Sequence, residues 1–270
     1  MHGAGTERFF HVEAAGHRLR AQWIGPGPAP DEPTLVFLHE GLGSIPQWRD
    51  FPEDLCRASG FSGLVYERWG YGGSDLLVLP RPKDYLKREA EQTLPDVLAA
   101  CGIDRPVLIG HSDGGTIALL YAAAFPKRAV ACIAEAAHVF VEDKAVGEIQ
   151  GVVGRWEHGE LKERLARHHG DNTETMFRGW AETWLSPEFR DWTMIERLPA
   201  IVCPVLVIQG EDDEHGTVAQ VTAIADGVSG PAETWVIPDC GHSPHIEARA
   251  AVCRRMADFI VSAVPAQGAC

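Results

Sequence analysis

Six compact apolar runs, separated by helical patterns and turns, recur along this chain and leave few folds open to it. They are Leu35–Leu38, Leu64–Tyr66, Val107–Ile109, Val130–Ala134, Val205–Ile208 and Thr234–Ile237, with β-branched residues among them. A short run that is apolar at consecutive positions marks a strand covered on both faces, because a half-exposed strand alternates instead. Helical patterns lie near 48–59, 83–101, 115–125, 217–227 and 246–263. Strands alternating with helices predict an α/β fold with a mostly parallel sheet covered by helices on both faces. Two further strands, 8–13 and 17–23, meet at Gly16 and predict a hairpin at a sheet edge. The Pro/Gly-rich stretch from Gly25 to Pro33 reads as a loop.

One interval breaks the rhythm. Residues 141–198 carry no convincing strand and hold Trp156, Trp180, Trp184 and Trp192, half of the eight tryptophans. The expected organisation is a core of 1–140 and 199–270 with 141–198 inserted as a helical cap over one end of the sheet. A chain of 270 residues with 45% apolar and 23% charged residues has enough material for one large core.

The charge balance narrows the partners. Thirty-eight acidic against 24 basic side chains give a formal charge of −14, which repels phosphate backbones and anionic lipid, so neither nucleic acid nor a membrane is expected as a partner. No run approaches the roughly 18–20 apolar residues that span a bilayer. The opening MHGAGTERFF lacks the basic start and apolar stretch of a secretion signal, so a soluble cytoplasmic location is expected. The seven cysteines are widely spread and form no C-x-x-C pair, which sets aside a zinc site or a disulfide framework. Most read as small buried hydrophobes.

The chemistry concentrates at Gly110-His111-Ser112-Asp113-Gly114, a G-x-S-x-G that follows one expected strand and precedes a helix. A serine on such a turn is lifted above the sheet, with the helix N-terminus aimed at it. Its hydroxyl needs a base to take the proton. His242, on the Gly241-His242 turn just before the final helix, is the first candidate and His245 the second. The base in turn needs a carboxylate to fix its tautomer. Gln209-Gly210-Glu211-Asp212-Asp213-Glu214 follows the strand Val205–Ile208, and Asp213, three residues past Gly210, is favoured over Asp212. The order Ser, Asp, His is that of the α/β hydrolases.

The sequence resembles the α/β-hydrolase family over nearly its whole length. Leu38-His39-Glu40-Gly41-Leu42-Gly43-Ser44 with Trp48 looks like the family's H-G loop. Glu67-Arg68-Trp69-Gly70-Tyr71-Gly72-Gly73-Ser74 is similar to its D-x-R-G-x-G-x-S turn. Pro204 to Asp213 resembles P-x-L-x-I-x-G-x-x-D, and Gly241-His242 with Pro244 resembles G-H-x-P. The resemblance implies an oxyanion hole made by the backbone N–H groups of Asp113 and Gly41, with Glu40 N–H as the alternative to Gly41 and the Asp113 side chain incidental to that role. Three departures stand out: Glu40 replaces a glycine, Glu67 an aspartate and Trp69 an arginine. Glu40 brings a carboxyl near the oxyanion loop, as a second acid or a substrate contact, or else turned away onto an arginine.

Other signals carry less. Gly70-x-Gly72 lacks the third glycine of a dinucleotide fingerprint, since that position is Asp75. His39-Glu40 is not H-E-x-x-H, because position 43 is glycine. His168-His169 reads as a solvated helix face. Haloalkane dehalogenases resemble the His39–Trp48 loop but place a carboxylate where this chain has Ser112. Trp180 and Trp184, one turn beyond Met176 and Phe177, form an apolar helix face that packs the insertion and offers rings to a pocket.

The expected function is a serine hydrolase acting through an acyl-enzyme on a small, partly apolar carboxylic ester, with Ser112, Asp213 and His242 as the triad and Glu40, Trp180 and Trp184 as substrate contacts. No metal or organic cofactor is implied. A thioester, a lactone or a C–C bond beside a ketone, in an aromatic breakdown product, is the alternative, because fold does not choose among them. A slow small-molecule receptor is the alternative from another class.

Overall fold

Eight strands form one sheet in the order β1-β2-β4-β3-β5-β6-β7-β8 in this computed structural model, which describes residues 9–264. They are β1 Phe10–Ala14, β2 His17–Ile24, β3 Thr34–Leu38, β4 Gly63–Tyr66, β5 Pro106–His111, β6 Ala131–Glu135, β7 Val205–Gly210 and β8 Ala232–Ile237. β2 runs antiparallel to β1 and β4, and every other pairing is parallel. The expected hairpin is therefore present, with β1 at the sheet edge; Arg8, the first residue assigned to it from the sequence, lies outside the described residues, as does Cys270.

Every residue of β3, β4, β5, β6 and β7 is buried, as continuous apolar runs demand. β8 differs: its first three residues are exposed, because it closes the sheet and packs on only one neighbouring strand. Alternation along each strand divides the interior into two cores. Val36, Leu64, Leu108 and Cys132 face one side; Leu35, Phe37, Val107, Ile109, Ile133 and Leu206 face the other.

The described residues hold ten α-helices: α1 Phe51–Ser59, α2 Tyr85–Arg88, α3 Leu94–Ala100, α4 Asp113–Ala124, α5 Asp143–Glu157, α6 Glu160–His169, α7 Thr173–Trp184, α8 Val218–Gly227, α9 Pro244–Glu247 and α10 Arg249–Ala263. A five-residue π-helical stretch at Glu89–Thr93 joins α2 to α3, so the helical pattern near 83–101 is real but not uniformly wound. Helices α1 and α10 cover the second core with Phe51, Leu55, Val252, Met256, Phe259 and Ile260. Helix α4 covers the first, and eleven of its twelve residues are buried, which explains why its sequence shows no polar face.

Helices α5, α6 and α7 fall between β6 and β7, in the interval that breaks the strand–helix rhythm. Trp156 stacks on Phe177 at 3.9 Å between ring centroids and ties α5 to α7. An isolated antiparallel bridge pairs Phe140 with Thr193, near the two ends of this interval in sequence. The loops that follow β3, β5, β7 and β8 all leave from the carboxyl ends of parallel strands, the end of such sheets where ligand crevices form.

Candidate active site

Ser112 sits between β5 and α4 with φ 53° and ψ −117°, a conformation an L-residue rarely adopts. The surroundings hold it there. Its amide donates to the carbonyl of Glu135 at 2.8 Å, and its carbonyl accepts from Thr116 N at 3.0 Å. The flanking glycines are steric requirements: a Cβ at Gly110 would collide with the backbone of Gly114, and one at Gly114 with the carbonyl of Leu38. The tight turn is thus wedged against β3 with no room for a side chain on either side.

The loops after β7 and β8 bring an acid and a histidine together. His242 Nδ1 lies 2.9 Å from Asp213 Oδ1. The same oxygen accepts from His215 N at 2.8 Å and Gly216 N at 3.2 Å. Asp213 is 1% exposed. Burial pushes its carboxyl up, but the hydrogen bond and charge of His242 outweigh this and bring it down to about 2. Asp212 is exposed and meets this loop through its backbone, donating to Cys240 O. His245 pairs elsewhere: its backbone N donates to Glu135 Oε1 at 2.6 Å and its Nδ1 lies 3.0 Å from the same oxygen. Two His–carboxylate pairs therefore stand side by side, and the His111 ring lies 5.0 Å from His242 and 4.8 Å from His245.

A buried polar network fixes the loop after β3 against the elbow. Arg68 Nη2 donates to the Glu40 carbonyl at 2.7 Å, and its Nη1 reaches Asp113 Oδ2 at 3.4 Å. Tyr85 O–H donates to Asp113 Oδ2 at 2.6 Å. The Gly41 carbonyl accepts from Tyr71 O–H at 3.0 Å, which in turn accepts from Arg81 Nη1 at 2.7 Å. With the carbonyls of Glu40 and Gly41 pinned, the peptide planes of this loop have little freedom. The Asp113 side chain is fully buried and shared by two donors.

One cavity of about 480 Å³ is lined by Ser112, His242, Gly41, Glu40, His111 and Trp180 together with residues of α5 and α6. Trp180 lies directly over Gly41, where a Cβ would collide with the indole Nε1. Trp184 takes a different place: its Nε1 donates to Tyr85 O–H at 3.0 Å and its ring meets His138 edge-on, outside the cavity lining. Glu40 turns toward the cavity rather than onto an arginine, and Oε2 lies 3.8 Å from His111 Nδ1. Burial pulls the His111 imidazole down, but Glu40 and Glu135 raise it to about 9. The Glu40 carboxyl, pushed up by burial, is drawn down to about 2 by His111 and His39.

A sequence model of the Alpha/beta hydrolase family matches residues 35–255. The chain belongs to the alpha/beta hydrolase family. Among its curated relatives is "Serine hydrolase BPHL" of Mus musculus, 25% identical over 255 residues, covering 92% of this chain and 85% of that protein. A "Proline iminopeptidase" of Lactobacillus delbrueckii subsp. bulgaricus is 22% identical over 275 residues, covering 87% and 92%. In the crystal structure of a serine hydrolase involved in carbazole degradation, the fold aligns with a TM-score of 0.73 at 19% identity, covering 93% of this chain and 98% of that one.

In this alpha/beta hydrolase the departures from the family pattern have structural accounts. Glu67, in place of an aspartate, forms a two-point pair with Arg20 at 2.6 and 2.7 Å and accepts from the amides of Ile45 and Gly73. Trp69, in place of the arginine, donates to the Leu76 carbonyl at 2.9 Å, while the guanidinium that braces the site comes from Arg68, one residue earlier. His169 corrects the reading of a solvated helix face: it is 1% exposed, accepts from Gly72 N at 3.0 Å through Nδ1 and donates to Leu42 O at 3.0 Å through Nε2. The sequence reading also passed over Tyr85, Glu135 and His111 as site residues. Among the described residues no group of three or more His, Cys, Asp or Glu side chains could hold a metal ion, and no helix is long and apolar enough to cross a membrane.

Proposed function

We propose that this alpha/beta hydrolase cleaves a small, partly apolar carboxylic ester through an acyl-enzyme, with Ser112, His242 and Asp213 as its triad. The observation that carries the reading is the His242–Asp213 pair at 2.9 Å opening onto the same cavity as a serine held on a strained turn. Asp213 accepts from His242 Nδ1 and leaves Nε2 to act as base. The Ser112 oxygen attacks the ester carbonyl while its proton passes to His242 Nε2. The backbone N–H groups of Asp113 and Gly41 receive the oxyanion, and a fixed donor of this kind lowers the barrier by about 3–4 kcal/mol. His242 then gives the proton to the leaving alcohol. Water attacks the acyl-enzyme by the same route in reverse, its proton returning through His242 to the Ser112 oxygen.

Residues 141–198 serve as a cap in this reading. Val152 of α5, Leu161 and Leu165 of α6 and Trp180 of α7 supply the apolar wall of the cavity, and this wall supports a partly apolar small-molecule substrate. The test is treatment with a fluorophosphonate followed by intact mass and peptide mapping, in parallel with p-nitrophenyl ester turnover. A single adduct on the Ser112 peptide together with ester turnover supports the proposal. An adduct without ester turnover moves the substrate class to a C–C bond or another acyl donor, and folded protein with no adduct rejects the triad.

A further inference from the structure

Glu40 occupies a position where glycine is the expected residue, and an anionic side chain beside a developing oxyanion opposes the reaction that glycine would leave undisturbed. The structure nevertheless makes room for it. A Cβ at Gly43 would collide with the Glu40 carboxyl group, so the loop keeps a vacant volume that this carboxylate fills. Its backbone carbonyl is held by Arg68 Nη2 at 2.7 Å and by Gly43 N at 3.1 Å, which fixes where the side chain starts.

The carboxylate has acceptor capacity left over. Its side chain is 27% exposed and lines the cavity that holds Ser112, Gly41 and His242. A carboxylate has about four acceptor sites. The imidazole of His111 stands at 3.8 Å, an ion-pair separation too long for a hydrogen bond. His39, His111 and His169 are the other titratable groups facing it, from its own loop, from β5 and from α6. Arg49, Arg164, His168 and Glu214 line other parts of the cavity. His111 offsets the charge of the carboxylate without using up its oxygens.

We propose that Glu40 is a specificity-determining residue that accepts a hydrogen bond from an O–H or N–H donor on the acyl group, one or two bonds from the scissile carbonyl. The proximity follows from the chain: Glu40 directly precedes Gly41, the residue whose N–H is assigned to the oxyanion. The preferred substrates are then esters or amides of 2-hydroxy or 2-amino acids rather than plain acyl esters. This inference rests on the serine-hydrolase reading above.

The experiment compares kcat/KM for aryl esters of a 2-hydroxy acid and its 2-methoxy ether, which differ in the donor but hardly in carbonyl reactivity. A 2-amino acid p-nitroanilide and its 2-deamino analogue, which has no donor on C2, form the second arm. Wild-type protein should favour the donor-bearing member of at least one pair by tenfold or more, and Glu40→Gln and Glu40→Ala should bring that ratio close to one. A preference confined to the first arm assigns a hydroxyl donor, and one confined to the second an amine. Equal turnover of both members in both arms overturns the proposal, as does an equal loss on every substrate in the variants. The wild-type ratios decide the matter if the variants do not fold. Fluorophosphonate labelling of the same sample separates the two levels: labelled Ser112 with flat ratios rejects the role of Glu40 alone, whereas no label and no turnover rejects the hydrolase reading and this inference with it.

Discussion

Arg68 and Asp113 meet at 3.4 Å with both side chains buried, and the same guanidinium donates to the Glu40 carbonyl at 2.7 Å. One side chain thus joins the loop after β3 to the first residue of α4, the two segments assigned to hold the oxyanion. Fixed spacing between the two donors matters because backbone N–H groups help only when they are aimed before the charge develops.

Tyr85→Phe tests this brace most gently, since it removes the donor to Asp113 and little volume. With Asp113 short of one donor and the Trp184 indole N–H left without its acceptor, stability should fall by about 1–3 kcal/mol for each stranded group. Turnover should drop several-fold with KM nearly constant, because the donors act on the transition state. Urea unfolding and steady-state kinetics give both numbers. An unchanged kcat alongside the stability loss would mean that the network supports the fold and not the reaction.

Ser112→Ala should lower kcat by roughly 10⁴–10⁶-fold, as triad knockouts do. Its unfolding midpoint should stay near that of wild type, because the bonds that hold the turn run through the backbone of residue 112. Residual activity within tenfold of wild type would exclude Ser112 as the nucleophile.

Asp213→Asn should cost on the order of 10⁴-fold in kcat, the scale expected when the histidine loses its orienting carboxylate. Asp212→Asn, at an exposed position, should change kcat less than threefold, roughly the ±0.5 kcal/mol scale of surface substitutions. Reversal of that order would move the acid to Asp212.

His111 gives stability a pH dependence of known sign. Its imidazole is raised to about 9 in the folded protein against about 6.5 when unfolded. The folded state therefore binds this proton more tightly. The resulting stability is fully present below pH ~6.5 and is lost as the pH rises through about 9. Unfolding free energies at pH 7 and pH 10 should show a smaller decline in His111→Gln than in wild type. An equal decline in the two proteins would place the alkaline loss on other groups.

His245→Leu should destabilise by about 3–5 kcal/mol, because it takes the imidazole from the buried Glu135 carboxylate and leaves it the backbone N–H of residue 245 as its hydrogen-bond donor. The double variant Glu135→Leu/His245→Leu should recover much of that loss, since it removes the stranded charge as well. Denaturant unfolding of the single and double variants measures the difference. A double variant no more stable than the single one would show that the pair contributes by packing rather than by charge.

The strands were legible because burial on both faces writes continuous apolar runs, as in Val107–Ile109 and Val205–Ile208. The Thr234–Ile237 run was legible as a strand but not as a sheet edge, since β8 starts two residues earlier, at Ala232, and its first three residues are exposed. Asp213 and His242 could be placed by their distance from a strand end and a glycine turn, and Asp213 is the acid that meets the ring. Arg68, Tyr85 and Glu135 were not legible as neighbours. Nothing in the spacing of these residues reveals that Arg68 and Tyr85 converge on Asp113 or that Glu135 meets His245. His169 illustrates the same limit, since its partners Gly72 and Leu42 lie about 100 and 127 positions away along the chain.

The contact of Trp180 with Gly41 has a consequence for how this sequence can vary. The indole occupies the volume that any side chain at position 41 would need, so the two positions are coupled although they lie on separate segments. Enlarging residue 41 alone meets a ring, and shrinking residue 180 alone opens a hole above the loop after β3. A mutagenesis library that randomises either position singly therefore samples mostly dead ends, while paired changes, small at 180 with larger at 41, reach pocket shapes that neither substitution reaches by itself.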